Sequence, residues 1–384
     1  MKTPLSWLQL SHEKSRLLIA LAGIGFADML MFIQLGFRAA LFDSSVTFHK
    51  ALQGDIFLMS PQSDALGFTK TFSERRLYES AAVDGVESVV PVYLNYGSWK
   101  NPIKRNTRTI LTIAFNPAQN PLGFSGLKEN IPQIQLPDVV LFDDKSRVEF
   151  GTIPDLLQQN KPLTAEVSGR KVRVGGLFTM GASFAADGNI ITSDTNFLRL
   201  FPDRQKGLID VGIINLEPGA NIEQAKASLK AKLSQNGDVD IFDKQEFIQE
   251  EIAYWQSATA IGFIFSLGTA IGFLVGIVIV YQILYTDVAN HLPEYATLKA
   301  MGYKDSYFVM LVFQEAIILG VLGFLPGYFI AIGLYSLAAG ATALPLAMTA
   351  SRAVTVMILT VIMCCASGTV AVRKLSAADP ADIF

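Results

Sequence analysis

The polar stretch YTDVANHLPEYATLKAMGYKDSY, residues Tyr285–Tyr307, separates two apolar segments that are each long enough for a membrane helix. No charged residue occurs from Gln256 to Thr286. From Ser306 to Ser351 the only charged residue is Glu315. A polar loop of this kind between two uncharged helices is typical of a chain that leaves a membrane and enters it again.

The loop has a helical pattern of its own. Leu292, Tyr295, Leu298 and Met301 recur at three-residue steps, and Gly302 follows where a helix is expected to stop. One interpretation is a helix that lies at the membrane surface without a partner. The other is a helix on which another protein docks, with Glu294 and Lys299 beside the apolar residues.

Composition supports a membrane protein that also has a sizeable soluble part. Hydrophobic residues make up 51% and charged residues 17% of the 384-residue chain, against roughly 25% charged in an ordinary soluble domain. A net charge of -3 gives no reason to expect nucleic-acid binding. Cys364 and Cys365 are neighbours in an apolar segment, so a disulfide between them would be badly strained.

Hydropathy and charge predict a multi-domain membrane protein with four transmembrane α-helices. Basic residues at both ends and in the polar loop place the N-terminus, that loop and the C-terminus in the cytoplasm. We prefer an uncleaved first span to a cleaved signal peptide, because its apolar stretch is long. The predicted parts are a cytoplasmic amphipathic helix (1–16), the first span (17–37), an extracytoplasmic domain with stalk helices (38–257), the second span (258–284), the cytoplasmic loop (285–306), the third and fourth spans (307–337 and 353–372) and a cytoplasmic tail (373–384).

The large inserted part has a mixed pattern. Eight apolar stretches rich in Val, Ile and aromatic residues predict strands, and four helical stretches lie between them. With no regular strand–helix repeat, we expect an α+β domain of two lobes between the first and second spans. Polar helical extensions at 38–53 and 243–256 are expected to pair as a stalk.

Two features of the spans indicate helix packing. Gly268, Gly272 and Gly276 follow at four-residue steps in the second span, which lets another helix approach closely, in the same chain or in a second copy. Asp28 lies in the middle of the first span, and we favour a hydrogen bond to a neighbouring helix over a role in transport. Glu315 lies about two turns into the third span.

Catalytic patterns are scarce. The chain has three histidines, none in a metal-binding spacing, and it has no G-x-S-x-G elbow. The segment around Lys70 lacks the glycines that a phosphate-binding loop requires. We therefore expect no catalytic residue, metal or cofactor on this chain.

The motif HLPEYATLKAMGYKDSYFVMLVFQEAIILGVLGFLPG, residues His291–Gly327, resembles the loop and third span of the MacB/FtsX-type ABC transporter permeases. Glu294 precedes a Leu-x-Ala-x-Gly run formed by Leu298, Ala300 and Gly302, although the family usually has Ile-Gly at the two positions after the acid. More narrowly, the same loop and the segment Phe150–Phe184 are similar to the DevC-type permeases of the cyanobacterial heterocyst exporter.

This resemblance implies a MacB-like periplasmic core domain and a homodimeric, non-catalytic permease in the bacterial inner membrane. ATP and Mg²⁺ would bind to a separate ABC ATPase subunit of the DevA or MacB kind. A DevB-like membrane-fusion adaptor and an outer-membrane TolC-like channel would complete an exporter of glycolipid. The ATPase-coupling residues would be Leu292, Glu294, Tyr295, Leu298, Lys299, Met301 and Gly302.

Three other functions share the predicted layout or part of it. An FtsX-like regulator would activate a cell-wall hydrolase and export nothing. A lipoprotein-releasing permease would pass its cargo to a soluble carrier. A membrane-anchored sensor would need no ATPase.

Overall fold

The computed structural model describes residue 12 and residues 14–159, 162–233 and 237–377. Most of the predicted N-terminal surface helix and the last seven residues of the predicted tail therefore lie outside the described residues. The α-helices of the described residues are, in chain order, α1 (Lys14–Ser45), α2 (Thr47–Ala51), α3 (Glu74–Ser80), α4 (Leu127–Ile134), α5 (Ile153–Gln158), α6 (Asp194–Leu200), α7 (Ile222–Leu233), α8 (Lys244–Ala253), α9 (Ala260–Asn290), α10 (Leu292–Ala300), α11 (Asp305–Thr342) and α12 (Ala350–Ala377).

The chain divides into two compact units. The first, called the membrane unit below, contains the described parts of Met1–Ala40, Ala260–Ala341 and Leu346–Phe384. The second, called the sheet unit, contains the described parts of Leu41–Thr259 together with Thr342–Pro345.

Four helices of the described residues are long and apolar enough to cross a membrane, namely α1, α9, α11 and α12. Each helix contains most or all of the corresponding predicted span. Most of the helix ends lie several residues beyond the predicted ends of the spans. The reason is physical: apolarity sets the length of a predicted span, whereas backbone hydrogen bonds carry a helix on into polar sequence. The helix α11 also continues through Pro326, and it does not end before Thr342.

Glycines bring α9 close to α1 within the membrane unit. A Cβ added at Gly268 would clash with the side-chain amide of Gln34, and one added at Gly276 would lie 3.1 Å from Cβ of Ala27. The middle glycine, Gly272, faces Met31. The predicted small-residue face of the second span thus packs within the same chain, on the first span and, at Gly276, also on Met363 of α12.

A close backbone contact in the membrane unit joins α1 to α11. A Cβ added at Gly327 would lie 2.8 Å from the carbonyl oxygen of Gly25 and 2.8 Å from Cβ of Asp28. At its side, Asp28 is buried, and its Oδ1 accepts a 2.6 Å hydrogen bond from the Thr360 hydroxyl of α12. Because the Asp28 carboxyl group joins α1 to α12 and its Cβ lies beside Gly327 of α11, three spans meet at this level.

The sheet unit is built on one nine-stranded mixed sheet. Its order is β11-β1-β10-β3-β4-β8-β5-β7-β6, and β6 also pairs with β3. A separate two-stranded sheet joins β2 to β9. The strands are β1 (Ile56–Met59), β2 (Phe72–Ser73), β3 (Val86–Lys100), β4 (Thr107–Phe115), β5 (Val139–Asp143), β6 (Thr164–Val167), β7 (Arg170–Phe178), β8 (Asn189–Ser193), β9 (Leu208–Ile209), β10 (Val211–Leu216) and β11 (Asp240–Asp243).

We expected a domain of two lobes. In the structure both lobes are built on this one sheet and do not form separate folds. The 15-residue strand β3 pairs with β10 over its first half and with β4 over its second half, so one strand runs through both. Its length is visible in the sequence, but its change of partner is not. A tight turn joins β6 to β7, with positive φ at Ser168 and Gly169 between the two paired strands.

Both faces of the sheet are buried. In β1, Ile56 and Leu58 belong to one apolar cluster, and Phe57 and Met59 belong to the other. Helices cover each face, which explains why this strand reads as a continuous apolar run and does not alternate with polar residues.

We predict that Gly327→Ala destabilises the membrane unit by about 1–3 kcal/mol, the usual cost of forcing extra volume into a packed contact. The added methyl group would meet backbone atoms of Gly25, which have no room to rotate away. The midpoint of thermal unfolding of the full chain in detergent measures this change.

The matched control is Gly333→Ala in the same helix, because a Cβ there meets no atom within 4 Å. That variant should unfold at the wild-type temperature or slightly above it. Equal midpoints for the two variants would show that the contact between Gly25 and Gly327 does not stabilise the unit.

Candidate functional site

The helix α10 is a separate nine-residue element between two spans. Pro293 lies in its first turn, where a missing N–H costs nothing. At its end Gly302 has a φ of 97°, its N–H donates to the carbonyl of Lys299, and the N–H of Tyr303 donates to the carbonyl of Leu298. This pair of hydrogen bonds ends the helix in the manner that its glycine predicts.

One face of α10 is fixed to the membrane unit. Tyr295 is 3% exposed and packs in an apolar cluster with Val288 of α9 and with Phe308 and Val312 of α11. The rings of Tyr295 and Phe308 lie 5.6 Å apart. Leu298 packs against the same cluster. Motion of α10 would therefore be passed directly to both neighbouring spans.

The other face of α10 is open. Glu294 and Thr297 are exposed, and Met301 at the C-terminal end is 65% exposed. Leu292 and Lys299 are half-buried. The predicted apolar residues thus do not share one face, because three-residue steps drift: over the nine residues from Leu292 to Met301 a helix turns to about the opposite side.

An acidic pair lies beside α10 where the loop enters the third span. Glu315 is fully buried and lies against the carboxyl group of Asp287, at the end of α9. Oδ2 of Asp287 lies 3.5 Å from Nδ1 of His291, the residue that precedes α10. Of these two acids, only Glu315 was predicted as a polar residue of the spans. The four-residue spacing from Asp287 to His291 was the signal that could have indicated their contact.

In the sheet unit, a buried carboxyl group joins the end of α8 to a distant loop. Oε1 of Glu251 accepts a 2.7 Å hydrogen bond from the indole N–H of Trp255, and Oε2 accepts a 2.8 Å bond from the N–H of Leu66. His49 of α2 lies 3.5 Å from the same carboxyl group and packs on the ring of Phe247. The two predicted stalk extensions are therefore in contact within the sheet unit.

Burial controls the charges of this pair. It raises the pKa of Glu251 to about 7, against hydrogen bonds from Trp255 and Leu66 that lower it. Burial, and then the positive charge of Lys244, lower the pKa of His49 to about 3, so its imidazole is neutral. We therefore regard the contact as one between a neutral histidine and a carboxyl group that changes its charge near neutral pH.

The sheet unit also contains an open polar cleft of about 350 Å³. Its lining has no charged side chain and only three apolar residues. The polar side chains that line it are those of Gln53, Ser88, Gln119, Asn120 and Asn215. Within the described parts of the chain, no three His, Cys, Asp or Glu side chains are grouped to hold a metal ion.

These features define a multi-pass membrane protein with a large α/β unit and a short helix exposed between its second and third spans. Residues 254–380, which include all of α9 to α12, match the family described as FtsX-like permease C-terminal. This third of the chain is thus similar to the permease domain of that family. No curated protein matches the chain.

Two solved structures are similar to part of it. The periplasmic region of MacB from Actinobacillus actinomycetemcomitans is 14% identical, with 52% of this chain and 92% of that chain covered and a TM-score of 0.37. The extracellular domain of the noncanonic ABC-type transporter YknZ from Gram-positive bacteria is 15% identical, with 49% and 98% covered and a TM-score of 0.35. Similarity at this level assigns no function.

We predict that the chain loses stability as the pH rises from 5 to 8, in part through Glu251. Because the pKa of about 7 lies above the ordinary 4.5, the stabilising effect of its proton is complete below the ordinary value and is lost as the pH rises through about 7. The effect is at most roughly 3 kcal/mol. Glu251→Gln removes the titration, so its unfolding midpoint should fall less than that of the wild type between these pH values.

The control is Glu217→Gln, which replaces an exposed carboxyl group of the sheet unit. It should keep the wild-type pH dependence. If Glu251→Gln and the wild type lost the same stability between pH 5 and pH 8, Glu251 would not titrate in this range.

Proposed function

We propose that this chain is the permease subunit of an ABC-type exporter of the MacB kind, in which a separate ATPase subunit hydrolyses ATP. The match of residues 254–380 to the FtsX-like permease domain supports a permease. The observation that carries the proposal is the construction of α10, which has one face packed on two spans and the other exposed. A helix of this kind can be held by a partner and can pass a force to the spans.

In this proposal the ATPase binds the exposed face of α10 from the cytoplasm. Glu294 and Met301 make the direct contact, since both are exposed. Tyr295 and Leu298, which we expected among the coupling residues, act from inside: they transmit the motion to α11 through Phe308 and Val312. Leu292 and Lys299 border the contact, and Gly302 fixes the end of the helix.

The chain path supports a mechanical role for α9. This helix has 31 residues, so it is about 46 Å long, and it connects the sheet unit directly to the loop that contains α10. We propose that closure of the ATPase subunits moves α10, that α9 and α11 transmit the motion through the membrane, and that the sheet unit moves in the periplasm. Both termini are cytoplasmic in this arrangement, and the working form is a homodimer in the inner membrane.

The proposed cargo is glycolipid, exported by a tripartite DevBCA-like system with a membrane-fusion adaptor and a TolC-like outer-membrane channel. The resemblance of the loop that contains α10 and of Phe150–Phe184 to the DevC-type permeases supports this choice. The uncharged cleft of the sheet unit agrees with it, because amide and hydroxyl groups bind the hydroxyls of a sugar without requiring a charge on the ligand.

Affinity purification of the full chain in mild detergent tests the assignment to a system. Recovery of an ATPase, an adaptor and an outer-membrane channel, with bound glycolipid, is the expected result. Recovery of an ATPase with a cell-wall hydrolase would support the FtsX-like regulator, and recovery with a soluble lipoprotein carrier would support a lipoprotein-releasing permease. A chain that brings down no ATPase would contradict the proposal and support a sensor.

We predict that Met301→Asp and Glu294→Lys each weaken capture of the ATPase by at least about tenfold, which corresponds to ~1.4 kcal/mol. Either change places an unsuitable charge on the exposed face of α10 without disturbing the cluster around Tyr295. The measurement is ATPase recovered on the tagged chain, together with its stimulated turnover.

Unchanged unfolding midpoints must accompany the loss, and Lys232→Ala, which removes an exposed charge outside residues 254–380, should bind normally. Wild-type capture and turnover by both α10 variants would contradict a docking role for this face.

A further inference from the structure

Four aromatic side chains from three separate parts of the chain meet on the sheet unit. Phe184 lies 5.2 Å from Trp255, Trp255 lies 5.3 Å from Tyr254, and Tyr254 lies 6.0 Å from Phe68, measured between ring centroids. Phe68 is 53% exposed and Phe184 is 42% exposed. These four residues are called the aromatic surface below.

The loops that carry the two exposed rings are fixed. Glu251 accepts hydrogen bonds from both Leu66 and Trp255, so it holds the loop of Phe68 to the end of α8. The hydroxyl of Tyr96 donates a 2.7 Å hydrogen bond to the carbonyl of Ala185, which follows Phe184. The exposure of Phe68 and Phe184 is therefore built into the fold of the unit.

Chain length limits how far the aromatic surface can lie from the membrane. Trp255 precedes Ala260, the first residue of the apolar helix α9, by five residues. Even a fully extended chain of five residues spans no more than about 18 Å. No charged residue lies between Gln256 and Thr286, so the chain has entered its apolar span at once. This limit holds for any orientation of the sheet unit.

We propose that the aromatic surface binds the lipid bilayer, with Phe68 and Phe184 inserted in the headgroup region next to the entry of α9. Trp and Tyr are enriched at this depth, and Phe lies on the lipid-facing side of segments that bind at a membrane interface. The indole N–H of Trp255 is already satisfied by Glu251, which leaves apolar rings to face the lipid. The partner is therefore phospholipid, and the proposal depends on α9 as a membrane span but not on an ATPase or a cargo.

Photocrosslinking tests this surface in the full chain. The photoreactive analogue p-benzoylphenylalanine replaces Phe68 or Phe184, and each variant is reconstituted in vesicles of phosphatidylethanolamine and phosphatidylglycerol that contain an alkyne-tagged phospholipid. We expect tagged lipid to attach to the protein at both positions, several-fold above the control position.

The control places the same analogue at Ile222, which is 40% exposed. Thr69, next to Phe68, bonds to Asp210 just before β10, whereas Ile222 begins α7 beyond the other end of that strand. Because Ile222 is similarly exposed but lies at the opposite end of the sheet unit, crosslinking there measures general reactivity with lipid. Crosslinking above that level measures contact with the bilayer.

Lipid attachment no greater than at position 222 would overturn the proposal. Crosslinks to a second copy of the chain or to another protein, in place of lipid, would overturn it as well. Each variant must first show the unfolding midpoint of the wild type. If the Phe68 variant fails that test, the analogue is placed at the nearby exposed Lys70. If the Phe184 variant fails, it is placed at the half-exposed Ala185. The same two outcomes would overturn the proposal at these positions.

Discussion

Close backbone contact between helices is the constraint on which the membrane unit depends. Lipid surrounds these spans and provides no hydrophobic drive for their association, so packing and a few polar bonds must supply it. At Gly25 and Gly327 the backbones approach so closely that no side chain fits between them. The hydrogen bond between Asp28 and Thr360 lies beside this contact and adds the fourth span.

Because the spans are packed in this way, the short helix α10 is more than a surface loop. Its inward residues join an apolar cluster with α9 and α11, and the buried Asp287 and Glu315 lie beside that cluster. A displacement of α10 cannot be absorbed locally, since close-packed interiors transmit strain. The sheet unit, in turn, continues directly into α9, and within that unit Glu251 holds Trp255 to the loop of Leu66. In the proposed mechanism, a force on α10 would enter one end of α9, and the other end of α9 continues into the sheet unit.

Much of this fold could be predicted from the sequence. The four spans follow from uninterrupted apolar runs, the strand-like stretches 107–115 and 211–216 form β4 and β10, and Gly302 marks the end of α10. The sequence could not predict which residues contact each other when they are far apart along the chain. The change of partner along β3 and the bonds of Glu251 depend on residues far away in the chain. The faces of α10 were also predicted imperfectly, since a three-residue step resembles a stripe in the sequence but rotates around a helix.

Placement of α10 and the sheet unit on opposite sides of the membrane is the condition for the proposed transmission of force. Single cysteines at Thr297 and Ile222, in a chain whose Cys364 and Cys365 are replaced by alanine, can be labelled with a membrane-impermeant maleimide in cells stripped of their outer membrane. We predict that Ile222→Cys reacts while the inner membrane is intact and that Thr297→Cys reacts only after the inner membrane is opened. Reaction of both from the same side would contradict the account.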